Sequence, residues 1–278
     1  MKTTLSNIAI VKGIRGHEPV MQALDLINYK SVLAGKDQVL IKVNFIATKT
    51  WDTGATTDPV VVEAIIHKLK ELPIKVLVAE SDATMTDATK AFKITGMAEM
   101  CERNGVEWLN LRHLEDKVNI PIPSGDALKK ITVPRIVKDS AVISAAKMKT
   151  HMQTKVTLGM KNMFGCLPNK FKAKFHLKGI SKVVVDINRV LRPALTVIDG
   201  FTAMEGKGPT QGNPVEMDTI IAGADPVATD STAARVMGFD PHTISHIRRA
   251  YDLSLGEIDN INVVGEKIEN VRKIFKTS

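Results

Sequence analysis

Short apolar runs alternate with amphipathic stretches along this chain, the strand–helix–strand order of an α/β protein. Strands are predicted over 7–11 and over 38–44, where Val39, Ile41 and Val43 share one face. Further strands are expected at 74–79, 106–109, 140–145, 195–198, 217–222 and 261–264. Segments 119–123 and 128–133 read as a hairpin around Ser124-Gly125-Asp126. Helices are predicted over 20–26 behind Pro19, over 91–104 with an interruption near Gly96, and over 242–253. Two more open on Asp-Pro, at Asp58-Pro59 and Asp225-Pro226, where Asp can cap and Pro fits the first helical position. The former places Val62, Ile65, Ile66 and Leu69 on one face. The strongest periodicity, Ile180, Val183, Val184, Ile187, Val190 and Leu191, predicts a helix over 176–191.

The expected fold is therefore α/β, a mixed or mostly parallel sheet flanked by helices. Its 278 residues suffice for a single domain over 1–278, or for two lobes around a cleft whose boundary composition does not mark. Aromatic residues are only 4%, so the core must be aliphatic. Two cysteines, Cys101 and Cys166, cannot form a disulfide framework and fit a reducing compartment. No secretory apolar region and no apolar run of about 18 residues is visible. These features predict a soluble, cytoplasmic protein without a membrane partner.

The net charge of +8 is concentrated in one place. Residues 141–185 contain no Asp or Glu, yet hold nine lysines, from Lys147 to Lys182, together with His151 and His176. Such a run is either a solvated basic face or the wall of an anion site. It follows an apolar strand, and ligands of open α/β sheets sit at strand ends. We therefore expect an anionic small molecule, phosphate- or carboxylate-bearing. Lys149, His151, Lys155, Lys161 and Asn162 would supply charge and donors, and Lys174 and His176 would close the other side. Asn44, at an earlier strand end, joins this rim.

The glycine-rich stretch 199–212 contributes Asp199, Glu205, Gly206 and Gly208. It lacks the Gly-Lys-Ser/Thr ending of a phosphate loop, so it is read as close backbone approach to a ligand or as a structural Ω-loop. In an enzyme, His151, a Lys149 of lowered pKa, and Asp199 would carry acid–base chemistry. Cys166 lies among cations that would lower its thiol pKa, which suits a metal ligand or reactive thiol; the plain alternative is a small buried hydrophobe. His176, Glu205 and Asp230 are the other residues expected at a divalent metal or iron–sulfur cluster. A cluster would need a second subunit, as in a two-fold homodimer joining Cys166 from both chains. A third class is a nucleic-acid binder, with Phe164, Phe171 and Phe175 among the lysines, although no recognition motif accompanies them.

Several strings, in order, resemble the domain-of-unknown-function family 362, often labelled iron–sulfur-centre proteins. They are Lys42-Val43-Asn44, Thr57-Asp58-Pro59, Lys149-Thr150-His151, Lys161-Asn162-Met163-Phe164-Gly165-Cys166-Leu167-Pro168, Met204-Glu205-Gly206-Lys207-Gly208-Pro209 and Ala224-Asp225-Pro226-Val227-Ala228-Thr229-Asp230. Many relatives carry an added Cys-rich ferredoxin-like module, which has no counterpart in this sequence. The resemblance implies the fold, and carries no established activity with it.

Overall fold

The computed structural model describes residues 5–169 and 171–277, without the side chains of Ala173 and Lys174. Lys170 and the Lys174 side chain, both counted in the basic run, thus lie outside the described residues. The strands are β1 (Ser6–Lys12), β2 (Gln38–Lys42), β3 (Lys75–Glu80), β4 (Glu107–Asn110), β5 (Lys117–Pro121), β6 (Lys130–Pro134), β7 (Ala141–His151), β8 (Lys155–Thr157), β9 (Leu195–Glu205), β10 (Asn213–Gly223) and β11 (Ile261–Gly265). One sheet runs β11-β1-β10-β9-β7-β2-β3-β4, with β8 paired to β7, while β5 and β6 form a separate hairpin. Pairing is parallel from β9 through β7, β2 and β3 to β4, and antiparallel around β10. The mixed, mostly parallel α/β sheet expected from sequence is therefore present.

Successive strand side chains point to opposite faces, and the two cores follow that period. Ala9, Ile41, Ile143 and Val197 pack on helices His17–Leu26, Pro59–Leu69 and Met97–Arg103. Ile10, Leu40, Ala146 and Ile198 pack on the opposite face, against Ile180–Val190, Pro226–Val236, Ser245–Asp252 and the β5–β6 hairpin. The link from β2 to β3 runs through Pro59–Leu69 on the first face. The link from β7 to β9 runs through Ile180–Val190 on the second. Between neighbouring β2 and β7 the connections therefore diverge, which opens a crevice at the strands' carboxyl ends.

Some expected boundaries moved, each for a tertiary reason. The strand expected at 140–145 continues to His151, because Lys147 and Lys149 find buried partners. The strand expected at 195–198 continues to Glu205 and pairs with β10, so Asp199 lies within a strand instead of opening a loop. The helix expected at 176–191 is two, Ala173–Leu177 and Ile180–Val190, separated by Gly179 at φ 83°. The segment 242–253 divides into the 3-10 turn Pro241–Thr243 and the helix Ser245–Asp252. Asp58 and Asp225 both cap their helices as predicted, accepting from Val60 N and from Val227 N and Ala228 N.

Acids outside the basic run satisfy much of it. Lys147 Nζ lies 2.8 Å from Asp199 Oδ2, both side chains wholly buried. The same oxygen accepts Asp58 N at 2.8 Å, and Asp58 grips Arg15 in a two-pronged pair at 2.6 and 2.9 Å. Asp186 accepts three backbone N–H groups, from Asp126, Ala127 and Leu128, and so fastens the β5–β6 turn to Ile180–Val190. Lys147→Met should therefore cost about 3–5 kcal/mol, since it strands a buried carboxylate. Asp186→Ala should cost about 2–4 kcal/mol through orphaned N–H groups. Urea unfolding midpoints check both.

Candidate functional site

A cavity of about 440 Å³ occupies the crevice. Lys42 and Asn44 reach it from the end of β2, Glu80 and Ser81 from the end of β3, and His151 from the end of β7. Lys161, Asn162, Phe164, Lys172 and His176 come from the segment beyond β8. Pro209 and Thr210, in the turn between β9 and β10, close one side. The walls are partly apolar, with Phe45, Ile46, Met85 and Met152 among them.

Lys42 and Glu80 form a buried pair at 2.6 Å. Glu80 also accepts Ser81 N and Phe45 N. Asn162 ties the floor together. Its Oδ1 accepts from Asn44 Nδ2 at 2.9 Å and Lys42 Nζ at 3.3 Å, and its Nδ2 donates to Lys42 O and Ser144 Oγ. This side chain is saturated and acts as a positioner. Asn44 Oδ1 and Thr157 Oγ1, in contrast, are buried cavity-lining atoms with no hydrogen-bond partner among the described residues. Buried polar atoms of this kind call for water or ligand.

Lys161 sits on the single helical turn Gly159–Asn162, whose first N–H groups are held by Asp230 Oδ1 and Oδ2 at 2.8 and 2.9 Å. Gly159 is required there, because a Cβ would lie 2.3 Å from Thr196 Cγ2. Among the described residues the Lys161 ammonium has neither an ion pair nor a hydrogen bond. Burial, with the neighbouring charge of Lys172, lowers its pKa to about 8. Burial likewise lowers Lys172 to about 8, with Glu80 opposing. Lys172 Nζ donates to Ser81 Oγ at 3.2 Å and lies 5.1 Å above the Phe164 ring.

The two cavity histidines are complementary. His151 Nδ1 accepts from Gln153 N at 3.1 Å and Thr154 N at 3.3 Å, so the neutral ring carries its proton on Nε2. Burial, then Lys161 and Lys149, press its pKa to about 2. His176 Nδ1 lies 2.6 Å from Gln153 Oε1 and donates to it, which leaves Nε2 as an acceptor. Burial and Lys161 lower its pKa too. Behind the cavity, His246 is wholly buried with both ring nitrogens unpartnered among the described residues, and burial lowers its pKa to about 3.

Of the residues expected from sequence, Asn44, His151, Lys161, Asn162 and His176 line the cavity. Others do not meet there. Lys149 is buried behind it, its Nζ donating to Ala55 O at 2.6 Å, and burial lowers its pKa strongly. Asp199 is committed to Lys147, Lys155 reaches Thr243 Oγ1, and Glu205 accepts Lys276 N. Gly206 and Gly208 pack on Thr150. Thr150 Oγ1 donates to Gly206 O at 3.0 Å, and a Cβ at Gly208 would lie 2.1 Å from Thr150 O. Their role is to seat the β9–β10 turn. Lys42 and Glu80 stand at strand ends that the sequence marks as one rim of the sheet, and Lys172 stood out there only as part of the basic run.

Cys166 departs from expectation. Burial pushes its thiol up to about 12, so the cationic surroundings do not prevail. The residue is fully buried, as the plain alternative of a small hydrophobe requires. Cys101 packs in the core on the other face of the sheet. Among the described residues no three His, Cys, Asp or Glu groups come together to hold a metal. This donor set does not fit an iron–sulfur cluster or a divalent ion. Phe164 and Phe175 are buried and meet edge-to-face at 5.5 Å, which leaves Phe171 exposed without them as a stacking partner.

The fold and crevice define a two-sided α/β protein with a basic, partly apolar cavity at the switch point of its sheet. The model of a domain of unknown function (DUF362) matches residues 39–235, and the chain belongs to that family. A thylakoid-associated protein of Synechocystis sp. is 28% identical over 219 residues, covering 75% of this chain. The chain spans 65% of that relative's length. Among the described residues no helix is long and apolar enough to cross a membrane.

An unpaired lysine of lowered pKa leaves a thermodynamic signature. Lys161 has a folded pKa of about 8 against an ordinary 10.5, so its charge opposes folding below about pH 8. That penalty fades as pH rises toward 10.5. Lys161→Met should stabilise the protein by about 1–2 kcal/mol at pH 7, an advantage that vanishes near pH 10. Paired urea titrations at the two pH values measure it.

Proposed function

We propose that the protein binds a small anionic molecule, phosphate- or carboxylate-bearing with an apolar body, in the cavity between β2, β3 and β7. One observation carries the reading: the ammonium of Lys161 faces a cavity whose sole carboxylate among the described lining residues, Glu80, is already engaged by Lys42. Lys172, with no acid within salt-bridge distance among the described residues, adds a second such charge. The orphaned Asn44 Oδ1 and Thr157 Oγ1 and the His151 Nε2–H supply directional contacts. Phe45, Phe164 and Met85 suit the apolar portion. The volume falls within the usual range for small-molecule sites.

The same proposal places the protein in the cytoplasm, supported by its two unpaired buried thiols. The thylakoid association in the relative's name is a statement about that protein.

Calorimetric titration with phenyl phosphate, against benzyl alcohol as uncharged control, tests the proposal. Phenyl phosphate should bind at one site, and Lys161→Gln and Lys172→Gln should each weaken it roughly 10- to 100-fold. Affinity should fall between pH 7 and 9.5, as both lysines lose their protons near pH 8. Equal binding of the alcohol, or undiminished binding in the double variant, would overturn the reading.

A further inference from the structure

We propose that Lys161 is an imine-forming lysine, condensing with an aldehyde or ketone group of the anionic ligand that Lys172 holds. The inference rests on the anion-binding reading above and adds a covalent step to it. Three features of the geometry support it. Lys161 Nζ faces the cavity with no acid or carbonyl partner among the described residues, whereas Lys42, Lys147 and Lys149 are each committed, to Glu80, Asp199 and Ala55 O. The turn that bears it is pinned by Asp230 through Gly159 N and Met160 N, so the amine is presented from a fixed turn. A second cation, Lys172, can take the oxyanion and leave Lys161 free to react.

Imine formation needs an uncharged amine. With a pKa of about 8, roughly a quarter of Lys161 is uncharged at pH 7.5, against about one part in a thousand for an ordinary lysine. The step balances without any added reagent. Nζ adds to the carbonyl carbon and forms the C–N bond. The carbonyl oxygen takes up the two amine protons and leaves as water, and C=N remains. His176 Nε2, an acceptor facing the same cavity, is placed to take one proton from the attacking amine and return it to the departing oxygen. Lys149, His151, His176 and His246 all feel the charge of Lys161 and are pushed toward their neutral forms, as Lys161 itself is by Lys172.

Pyridoxal 5′-phosphate joins an aldehyde to an aromatic ring and a phosphate, and serves as the probe. The full-length protein is incubated with it at pH 7.5, reduced with borohydride, digested and mapped by mass spectrometry. Lys161 should carry roughly tenfold or more label than exposed lysines such as Lys178. Excess phenyl phosphate should block it. Lys161→Arg keeps the charge without a condensing amine. It should lose the label at this position. Phenyl phosphate binding with label spread evenly over exposed lysines would overturn the imine step and leave the anion site standing. No phenyl phosphate binding and no Lys161 label would overturn both.

Discussion

The cavity depends on the buried pair of Lys42 and Glu80. These residues end two adjacent parallel strands, and the register that aligns β2 with β3 brings their side chains to 2.6 Å. The pair contributes little net stability, because burying two charges costs nearly what their attraction returns. Its importance lies in occupancy. Glu80 Oε1 faces Lys42 Nζ and Ser81 N, and Oε2 accepts Phe45 N. The one carboxylate among the described lining residues is therefore committed before Lys161 and Lys172 arrive. Gly165 completes the lock from the segment beyond β8. A Cβ there would stand 2.4 Å from Lys42 Nζ and 2.6 Å from Glu80 Oε1, so a side chain at this position would push the pair aside.

Elsewhere the same segment is neutralised by long-range means. Lys147 pairs with Asp199, 52 residues away in sequence, and the turn bearing Lys161 hangs from Asp230, 71 residues from Gly159. Burial raises the Asp230 pKa to about 7 even though two backbone N–H groups favour its charged form, so this carboxyl is held at some cost. The acid-free run is thus a composition with two outcomes. Where β7 passes through the core, Asp199 of β9 compensates Lys147 and the Ala55 carbonyl receives Lys149. Where it emerges at the crevice, none does. A solvated basic face, the plain reading of the run, does not describe Lys147, Lys149 or Lys172, all of which are buried.

What the sequence revealed follows from how local each signal is. Asp58-Pro59 and Asp225-Pro226 mark helix starts because cap and proline act within one turn, and both caps formed. The alternation of Val39, Ile41 and Val43 marks β2 because one face of a strand must enter a core. The length of β7 was hidden, since Lys147, Lys149 and His151 break an apolar pattern and their compensation lies in distant parts of the chain. Likewise Gly200 and Glu205 disguised the continuation of β9. For the site, Asn44, Lys161 and Asn162 were legible as donors near strand ends. Lys149 and Asp199 were misplaced, because which face of a long strand meets the cavity depends on register. Glu80 was legible as a strand end, but its pairing with Lys42 appeared only when β3 was set beside β2.

The neutral groups of the cavity narrow its chemistry further. Positive charge from Lys161 reaches both His151 and His176, and burial acts in the same direction, so neither ring carries a proton to spare at neutral pH. Their tautomers are nonetheless opposite, because the single residue Gln153 treats them differently. Its backbone N–H donates to His151 Nδ1, and its side-chain oxygen accepts from His176 Nδ1. One imidazole therefore offers an N–H and the other a lone pair, across a space that also holds two ammonium groups. A fully ionised oxyanion would use the ammonium groups and the His151 N–H and leave the His176 lone pair idle. A ligand that uses all four carries an oxyanion together with a second polar function that both accepts and gives up a proton. On the proposed reading a hydroxy-bearing phosphate or carboxylate meets that requirement, and a carbonyl-bearing one meets it once the Lys161 amine has added and its oxygen has become a hydroxyl.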